Sequence, residues 1–416
     1  MMSRRRVVVT GTAAVTALGC DLPDVWNSVC KGHSGVTLLQ RFDCSGIPVR
    51  IGGEIADFDA HAQIEIESKV VRRMDRFAQF AVVAADKAVR QSDIDFSMVD
   101  PCRCGVLIGS SVGGLDEVEY QHSILFQRGP ERVSAFMIPR IMINSASGNV
   151  SIRWGLRGPS SAVAAGCASG TQAIGNAYRM IQSGMADVMI TGGAEAPLTP
   201  LGISGFARTT TVSSANQTPE VASRPFDRDR DGFVLAEGAG ILLIEELESA
   251  RKRRAQILAE VVGYSQTADG THLIAPDRTC AAAARTMQAA LRDAQLNAEQ
   301  VDYINAHGTG SPHGDHAEFV AIQSVFAAHA GEVAVSSTKG QLGHLLGASG
   351  GVESAFCVRA IETQTAPPSV NLDMPDDGCY LDFIQDSART MPIRVAMKNS
   401  FAFGGHNACL VYAAPG

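Results

Sequence analysis

The chain has no excess of positive charge. Its 416 residues carry 35 Lys and Arg against 43 Asp and Glu, a formal net charge of −8. That argues against nucleic-acid binding as its main role, because domains that grip phosphates are usually basic. It also lacks any apolar segment long enough to be a membrane span. Arg4-Arg5-Arg6 before Val7-Val8-Val9 imitates an export signal, and Ala17-Leu18-Gly19-Cys20 imitates a lipidation box. Thr10-Gly11-Thr12 breaks that apolar run early, so Arg6 to Thr10 reads as a first buried strand. Metal-type cysteine spacing is missing too. Of ten cysteines only Cys102 and Cys104 lie close together, at a spacing that suits no common zinc site. Scattered thiols of this kind fit a reduced, cytoplasmic protein. No low-complexity linker divides the chain.

What is present is an alternation of short Val/Ile/Leu runs with Ala-rich helical stretches. Strands are predicted at 7–10, 105–108, 188–191, 240–245, 259–262, 303–306 and 409–412. Helices are predicted at 77–91, 169–182, 279–294, 317–326 and 350–363. This order means α/β layers. Cys167 to Thr191 runs turn, glycine-spaced helix, strand, and Gly343-His344 to Thr363 repeats turn and glycine-spaced helix. The repetition hints at duplication, with halves at 1–255 and 256–416. Arg251-Lys252-Arg253-Arg254 lies near that junction and reads as a solvated helix end. Ser204 to Asp231 is polar and reads as a long ordered loop.

Cys167 lies in Ala164-Ala165-Gly166-Cys167-Ala168-Ser169-Gly170, where extended chain turns helical. Small neighbours leave the sulfur approachable. Unpaired N–H groups and the helix dipole at that position favour thiolate. Taken alone, a buried structural cysteine is the commoner case.

Three further segments change that balance. Asn305-Ala306-His307-Gly308-Thr309-Gly310-Ser311-Pro312 starts as a strand and breaks into a turn, which puts His307 at a strand's C-terminal end, where open α/β sheets bind ligands. Lys339-Gly340-Gln341-Leu342-Gly343-His344 bends His344 on flanking glycines. Asn399-Ser400-Phe401-Ala402-Phe403-Gly404-Gly405-His406-Asn407 reads as a flexible loop with aromatic gates and a backbone N–H suited to an oxyanion.

With these segments in this order, and Ser223-Arg224-Pro225-Phe226-Asp227 ahead of Arg230-Asp231-Gly232-Phe233, the chain closely resembles the β-ketoacyl-acyl-carrier-protein synthases, elongating synthase II type, of the thiolase-like superfamily. The resemblance spans nearly the full length. It implies two duplicated βα halves in a layered αβαβα arrangement, a homodimer and no cofactor, the phosphopantetheine being carried by the acyl carrier protein. A heterodimer with a partner subunit stays open. The implied reaction is a decarboxylating Claisen condensation. Cys167 takes the acyl group, and the N–H groups of Cys167 and Phe403 form the oxyanion hole. Malonyl-carrier protein then loses CO₂ against His307 and His344, and the product is a 3-oxoacyl chain two carbons longer.

The resemblance also places Lys339 beneath the histidines, held by Glu318 and Asp315. It puts Thr309 and Ser311 on the pantetheine arm, Val112, Phe401 and Phe206 along the acyl path, and Lys69, Arg72, Arg73 and Arg132 at the carrier-docking surface. Asn305, Glu353, Asn399 and Ser400 match a site that binds an alkali ion in some relatives. Three positions depart from the family pattern: Gly310-Ser311 after Thr309, His406 in the glycine loop, and Thr210 where a basic residue is usual. A specialised polyketide, polyene or unusual-lipid synthase is the alternative they suggest. A thiolase would use a second cysteine as base, a cysteine hydrolase would use one histidine with an orienting group, and a non-catalytic chain-length partner would lack Cys167.

Overall fold

The computed structural model describes residues 4–416. Eleven strands form its main sheet: β1 (Val7–Val15), β2 (Cys104–Gly109), β3 (Ser160–Val163), β4 (Val188–Glu195), β5 (Gly238–Glu246), β6 (Ala259–Ala268), β7 (Tyr303–Asn305), β8 (Ala334–Ser336), β9 (Asp382–Phe383), β10 (Val395–Ala402) and β11 (His406–Ala413). Their spatial order is β9-β8-β7-β10-β11-β6-β1-β5-β4-β2-β3. The duplication is plain in the pairing. β3, β2 and β4 run parallel, and β4-β5-β1 continue antiparallel. β8, β7 and β10 run parallel, and β10-β11-β6 continue antiparallel. β1 and β6 join the two patterns where Val7–Val9 pair with Ala259–Val261.

Six helices fill the layers: α1 (Arg76–Ser92), α2 (Ser145–Trp154), α3 (Ser169–Gln182), α4 (Ala281–Ala294), α5 (Pro312–Phe326) and α6 (Ser349–Thr363). α3 and α6 pack on each other and on strands of both halves, so they form the middle layer. α1 and α2 cover the outside of the first half, α4 and α5 that of the second. The result is the layered α/β arrangement the sequence suggested. Glycine sets how tightly the middle layer closes. A Cβ on Gly193 of β4 would stand 2.2 Å from the Gly347 carbonyl oxygen, and one on Gly240 of β5 would stand 1.9 Å from the Val352 nitrogen. Only bare backbone lets α6 approach this closely.

All seven predicted strands and five predicted helices are present, most of them longer than read. Two readings need correction. The segment 399–407 is a β-hairpin, not a flexible loop: β10 and β11 pair along their whole length, and only Phe403–Gly405 turn. Helix Pro200–Arg208 reaches into the stretch read as a loop from Ser204. The basic run at the junction is the solvated helix end the sequence suggested, with Arg251, Lys252 and Arg254 exposed; only Arg253 turns inward, to pair with the buried Glu245 at 2.5 Å.

Candidate active site

The two middle helices begin at the same place in their halves, each after the second parallel strand. The residues around those starts therefore converge. Cys167 precedes α3, and His344 lies just ahead of α6. The turn at Cys167 is fixed by Gly166, at φ +53°, and by hydroxyls: Ser111 Oγ and Ser169 Oγ both donate to the Gly166 carbonyl, at 2.8 and 2.6 Å. His307 follows β7. Its N–H donates to Glu318 at 2.8 Å, and its carbonyl accepts from Lys339 Nζ at 2.6 Å. His344 is held by its own N–H to the Val234 carbonyl, at 2.6 Å, and by Nδ1 against Ser349 Oγ, at 3.0 Å.

The sulfur of Cys167 and one ring nitrogen each of His307 and His344 lie within 4.8 Å of one another, all three residues buried. The two imidazoles meet edge to face with centroids 5.4 Å apart. Phe233 packs against His344 and Phe401 against His307. A cavity of about 370 Å³ opens on all three and runs past Phe403, Thr309 and Ser311. Thiolate and imidazole are donors that zinc accepts. The buried ammonium of Lys339, in hydrogen bond with the backbone of His307, opposes a cation there.

Electrostatics divide the roles. Burial first, then Lys339, pushes both imidazoles well below 6.5, so each is neutral and keeps one N–H to donate. The cysteine departs from expectation. Burial pushes its thiol up to about 12; Lys339 and the N–H groups of Phe403 and Cys167 pull the other way without prevailing. The resting residue is therefore a thiol, and the neutral imidazoles are the nearby bases. Burial outweighs the helix terminus on which the thiolate reading rested.

The support beneath the histidines also differs from expectation. Lys339 is not held by Glu318 and Asp315. Its Nζ pairs with Glu353 on α6 and with the His307 carbonyl. The other two carboxylates are spent mainly on backbone: Glu318 accepts from the His307 and Gly308 N–H groups, and from Asn399 Nδ2 at 3.3 Å, while Asp315 accepts from Thr309, Gly310 and Phe226 and lies 3.8 Å from Arg230. They shape the turn after β7. Ser311 Oγ caps α5 by accepting from Gly314 N–H at 3.1 Å while the residue lines the cavity.

Other expected site residues lie further out. Val112 is 37% exposed and outside the cavity wall, as is Phe206, which packs on Phe233. Thr210 lines the cavity, whereas His406 is exposed at the start of β11 beyond it. Lys69, Arg72, Arg73 and Arg132 are all exposed, and Arg73 stacks over Phe136. Sequence reasoning missed Glu195, a fully buried carboxylate that accepts from Ser110, Ser111 and Gly347 and so ties the Cys167 side to the His344 side. It also missed Lys398. The signal for that residue was a single lysine inside the apolar strand Val395–Ala402.

Fold and site together define an acyltransferase of the thiolase-like class. The β-ketoacyl synthase N-terminal domain matches residues 4–250, and the β-ketoacyl synthase C-terminal domain matches residues 258–373. The chain belongs to the β-ketoacyl synthase family. It is 46% identical over 411 residues to 3-oxoacyl-[acyl-carrier-protein] synthase 2 of Synechocystis sp., covering 99% of this chain and 98% of that one. The protein of the same name from Coxiella burnetii is 45% identical over 410 residues, covering 99% of both. Among solved structures, a β-ketoacyl synthase from Burkholderia phymatum superposes with a TM-score of 0.92 at 34% identity, over 99% of this chain and all of that one. A chain from a type II PKS acyl-carrier protein in complex with its ketosynthase superposes with a TM-score of 0.91 at 31% identity, again over 99% of this chain and all of that one.

Proposed function

We propose that this protein elongates acyl chains on an acyl carrier protein in fatty-acid biosynthesis, by decarboxylating condensation through a thioester on Cys167. The observation that carries the reading is one thiol and two neutral imidazoles within 4.8 Å on one cavity. In the first half-reaction Cys167 gives its proton to an imidazole, and the sulfur attacks the acyl thioester carbonyl. The N–H groups of Cys167 and Phe403 stabilise the oxyanion. The carrier's thiolate leaves and takes up the proton.

In the second half-reaction the malonyl thioester carbonyl sits against His307 and His344. His344 Nδ1 lies 3.0 Å from Ser349 Oγ, and in the tautomer that accepts the hydroxyl proton there the ring's own proton sits on Nε2. The bond to the carboxylate breaks, CO₂ leaves, and both imidazole N–H groups hold the enolate oxygen. The enolate carbon attacks the acyl-cysteine carbonyl. The Cys167 sulfur leaves as thiolate and takes up a proton from water, and the product is two carbons longer. Splitting the reaction this way needs no cofactor bound to the enzyme.

Several parts of this reading extend beyond the central triad. Thr309 and Ser311 would hold the pantetheine arm, Phe401 would flank the reacting carbon, and Val112 and Phe206 would border the acyl path. Lys69, Arg72, Arg73 and Arg132 would receive the acidic carrier. Residues 1–255 and 256–416 act as the two halves, the working unit is a homodimer, and the compartment is the cytoplasm. Among the described residues no helix is long and apolar enough to cross a membrane. Intact-protein mass spectrometry tests the core of the reading. Acyl-carrier protein should add its acyl mass to the wild type and none to Cys167→Ala, while malonyl-carrier protein should release CO₂ from wild type but about 10²–10³ times more slowly from His307→Ala or His344→Ala, the usual cost of losing one oxyanion donor. An acyl adduct on Cys167→Ala ends the proposal.

A further inference from the structure

The residues matching an alkali-ion site, Asn305, Glu353, Asn399 and Ser400, all lie in the core beneath the histidines, each fully or nearly fully buried. They offer a carboxylate, a hydroxyl and amide oxygens. The side-chain oxygens of Asn305 and Asn399 have no protein partner. By donor chemistry alone the set suits a hard monovalent cation. A second observation alters that fit.

Lys398, in the middle of β10, is 0% exposed. Its register partner on β7 is Asn305. Its Nζ lies 2.9 Å from Glu353 Oε2 and 3.3 Å from Ser400 Oγ, and it donates to the Asn399 carbonyl. The ammonium therefore already lies among the expected ligands, in ion-pair contact with Glu353 Oε2, which accepts no hydrogen bond, and in hydrogen bond with Ser400 Oγ and the backbone carbonyl of Asn399. The other oxygen of the same Glu353 carboxylate pairs with Lys339. One carboxylate thus bridges two ammoniums. A free alkali ion here would be a third positive charge around a single bridging carboxylate, in a region with little water to screen it. These residues do not fit a separate ion in this chain.

The geometry points to Lys398 as a covalently tethered cation that fills the buried monovalent-cation position, so that neither the stability nor the activity of this protein depends on potassium or sodium. An ammonium carries the charge of a potassium ion and is of similar size, and as part of β10 it cannot dissociate. Lys398 also supplies positive charge near the reacting groups: after burial and Lys339, it is a further cause holding His344 neutral. The inference goes beyond the condensing reaction, and its first readout needs no substrate. Its failure is thus separable from failure of the functional reading.

The test compares thermal unfolding of the wild type and Lys398→Ser in KCl, NaCl and tetramethylammonium chloride at equal ionic strength. The wild-type Tm should be the same in all three salts. Lys398→Ser, with the position vacated, should melt lower and regain about 2–4 °C in KCl over tetramethylammonium, as ligand linkage predicts for a newly opened ion site. Crystals soaked in a thallous salt should show an anomalous peak beside Glu353 only in Lys398→Ser. A wild type that gains several degrees from KCl, or shows the thallium peak itself, overturns the assignment. That wild-type result decides the matter even if Lys398→Ser fails to fold. A folded Lys398→Ser indifferent to potassium overturns it as well.

Discussion

Lys339 Nζ donates to the carbonyl oxygen of His307 at 2.6 Å while pairing with Glu353 across the core. Lys339 thereby acts on the histidine in two ways, by fixing its backbone and by placing positive charge near its ring. After burial, that charge is the largest cause of the low pKa of both His307 and His344. Replacing Lys339 by Met should slow malonyl-carrier decarboxylation, and it should also move the acid limb of the pH–rate profile. Without the ammonium both imidazoles gain protons more readily, so the limb should shift to higher pH. A variant that is slower at every pH, with its limb unmoved, would reduce Lys339 to a packing role.

The close approach of α6 to the sheet predicts an asymmetry among glycines. Gly193→Ala would push a methyl to 2.2 Å from the Gly347 carbonyl, in backbone that cannot swing aside. A loss of about 1–3 kcal/mol or more is expected from such overpacking. Gly205, on helix Pro200–Arg208, has open space around it. Gly205→Ala should be neutral or up to about 1 kcal/mol stabilising from helix propensity. Urea denaturation of both variants checks this, and equal midpoints would refute the close packing.

At the surface, Lys69 and Arg72 are exposed and make no ion pair with the described residues. Their proposed work is on the partner alone. The double change Lys69→Glu and Arg72→Glu should raise KM for acyl-carrier-protein substrates about tenfold and reduce the salt sensitivity of docking, since the attraction that salt screens is what the change removes. KM for a small soluble acyl thioester should not change. Equal effects on both substrates would place the carrier elsewhere.

The reactive residues were legible in the sequence because each sits in a small-residue turn at a strand or helix end, where side-chain type and local pattern agree. Cys167, His307 and His344 meet because those turns occupy matching places in two halves. What supports them was less legible. The family resemblance, not the local sequence, offered Glu318 and Asp315 as partners for Lys339. Backbone N–H groups of the turn after β7 take most of both carboxylates' acceptor capacity, and the actual partner, Glu353, comes from a helix in the middle layer. β10 was hidden because its glycine-rich end looks like a loop and its central lysine breaks the apolar pattern. Pairing with β7 and β11 gives it strand structure regardless. β3, β8 and β9 are two to four residues long and carry too little pattern to be read locally.

The buried imidazoles also set how stability responds to acid. In the folded protein His307 and His344 bind a proton only well below 6.5, with burial the first cause. In the unfolded chain each binds one near 6.5. Between those values the unfolded state holds more protons, so stability falls as pH drops below about 6.5, by up to about 1.4 kcal/mol per unit for each histidine. The buried carboxyls Glu195, Asp315 and Glu318 act in the opposite sense. Burial raises them in the fold, so the folded state takes their protons first and gains stability as pH falls toward their unfolded values. The wild-type curve sums both effects, and a substitution separates them. His344→Asn removes one imidazole and leaves the carboxyls in place. Between pH 6.5 and 5.5 the wild type should lose about 1 kcal/mol more than His344→Asn in urea denaturation. Parallel curves for the two proteins would mean that His344 takes up its proton in the fold as readily as in the unfolded chain, and that the site does nothing to hold it as the neutral donor the enolate step needs.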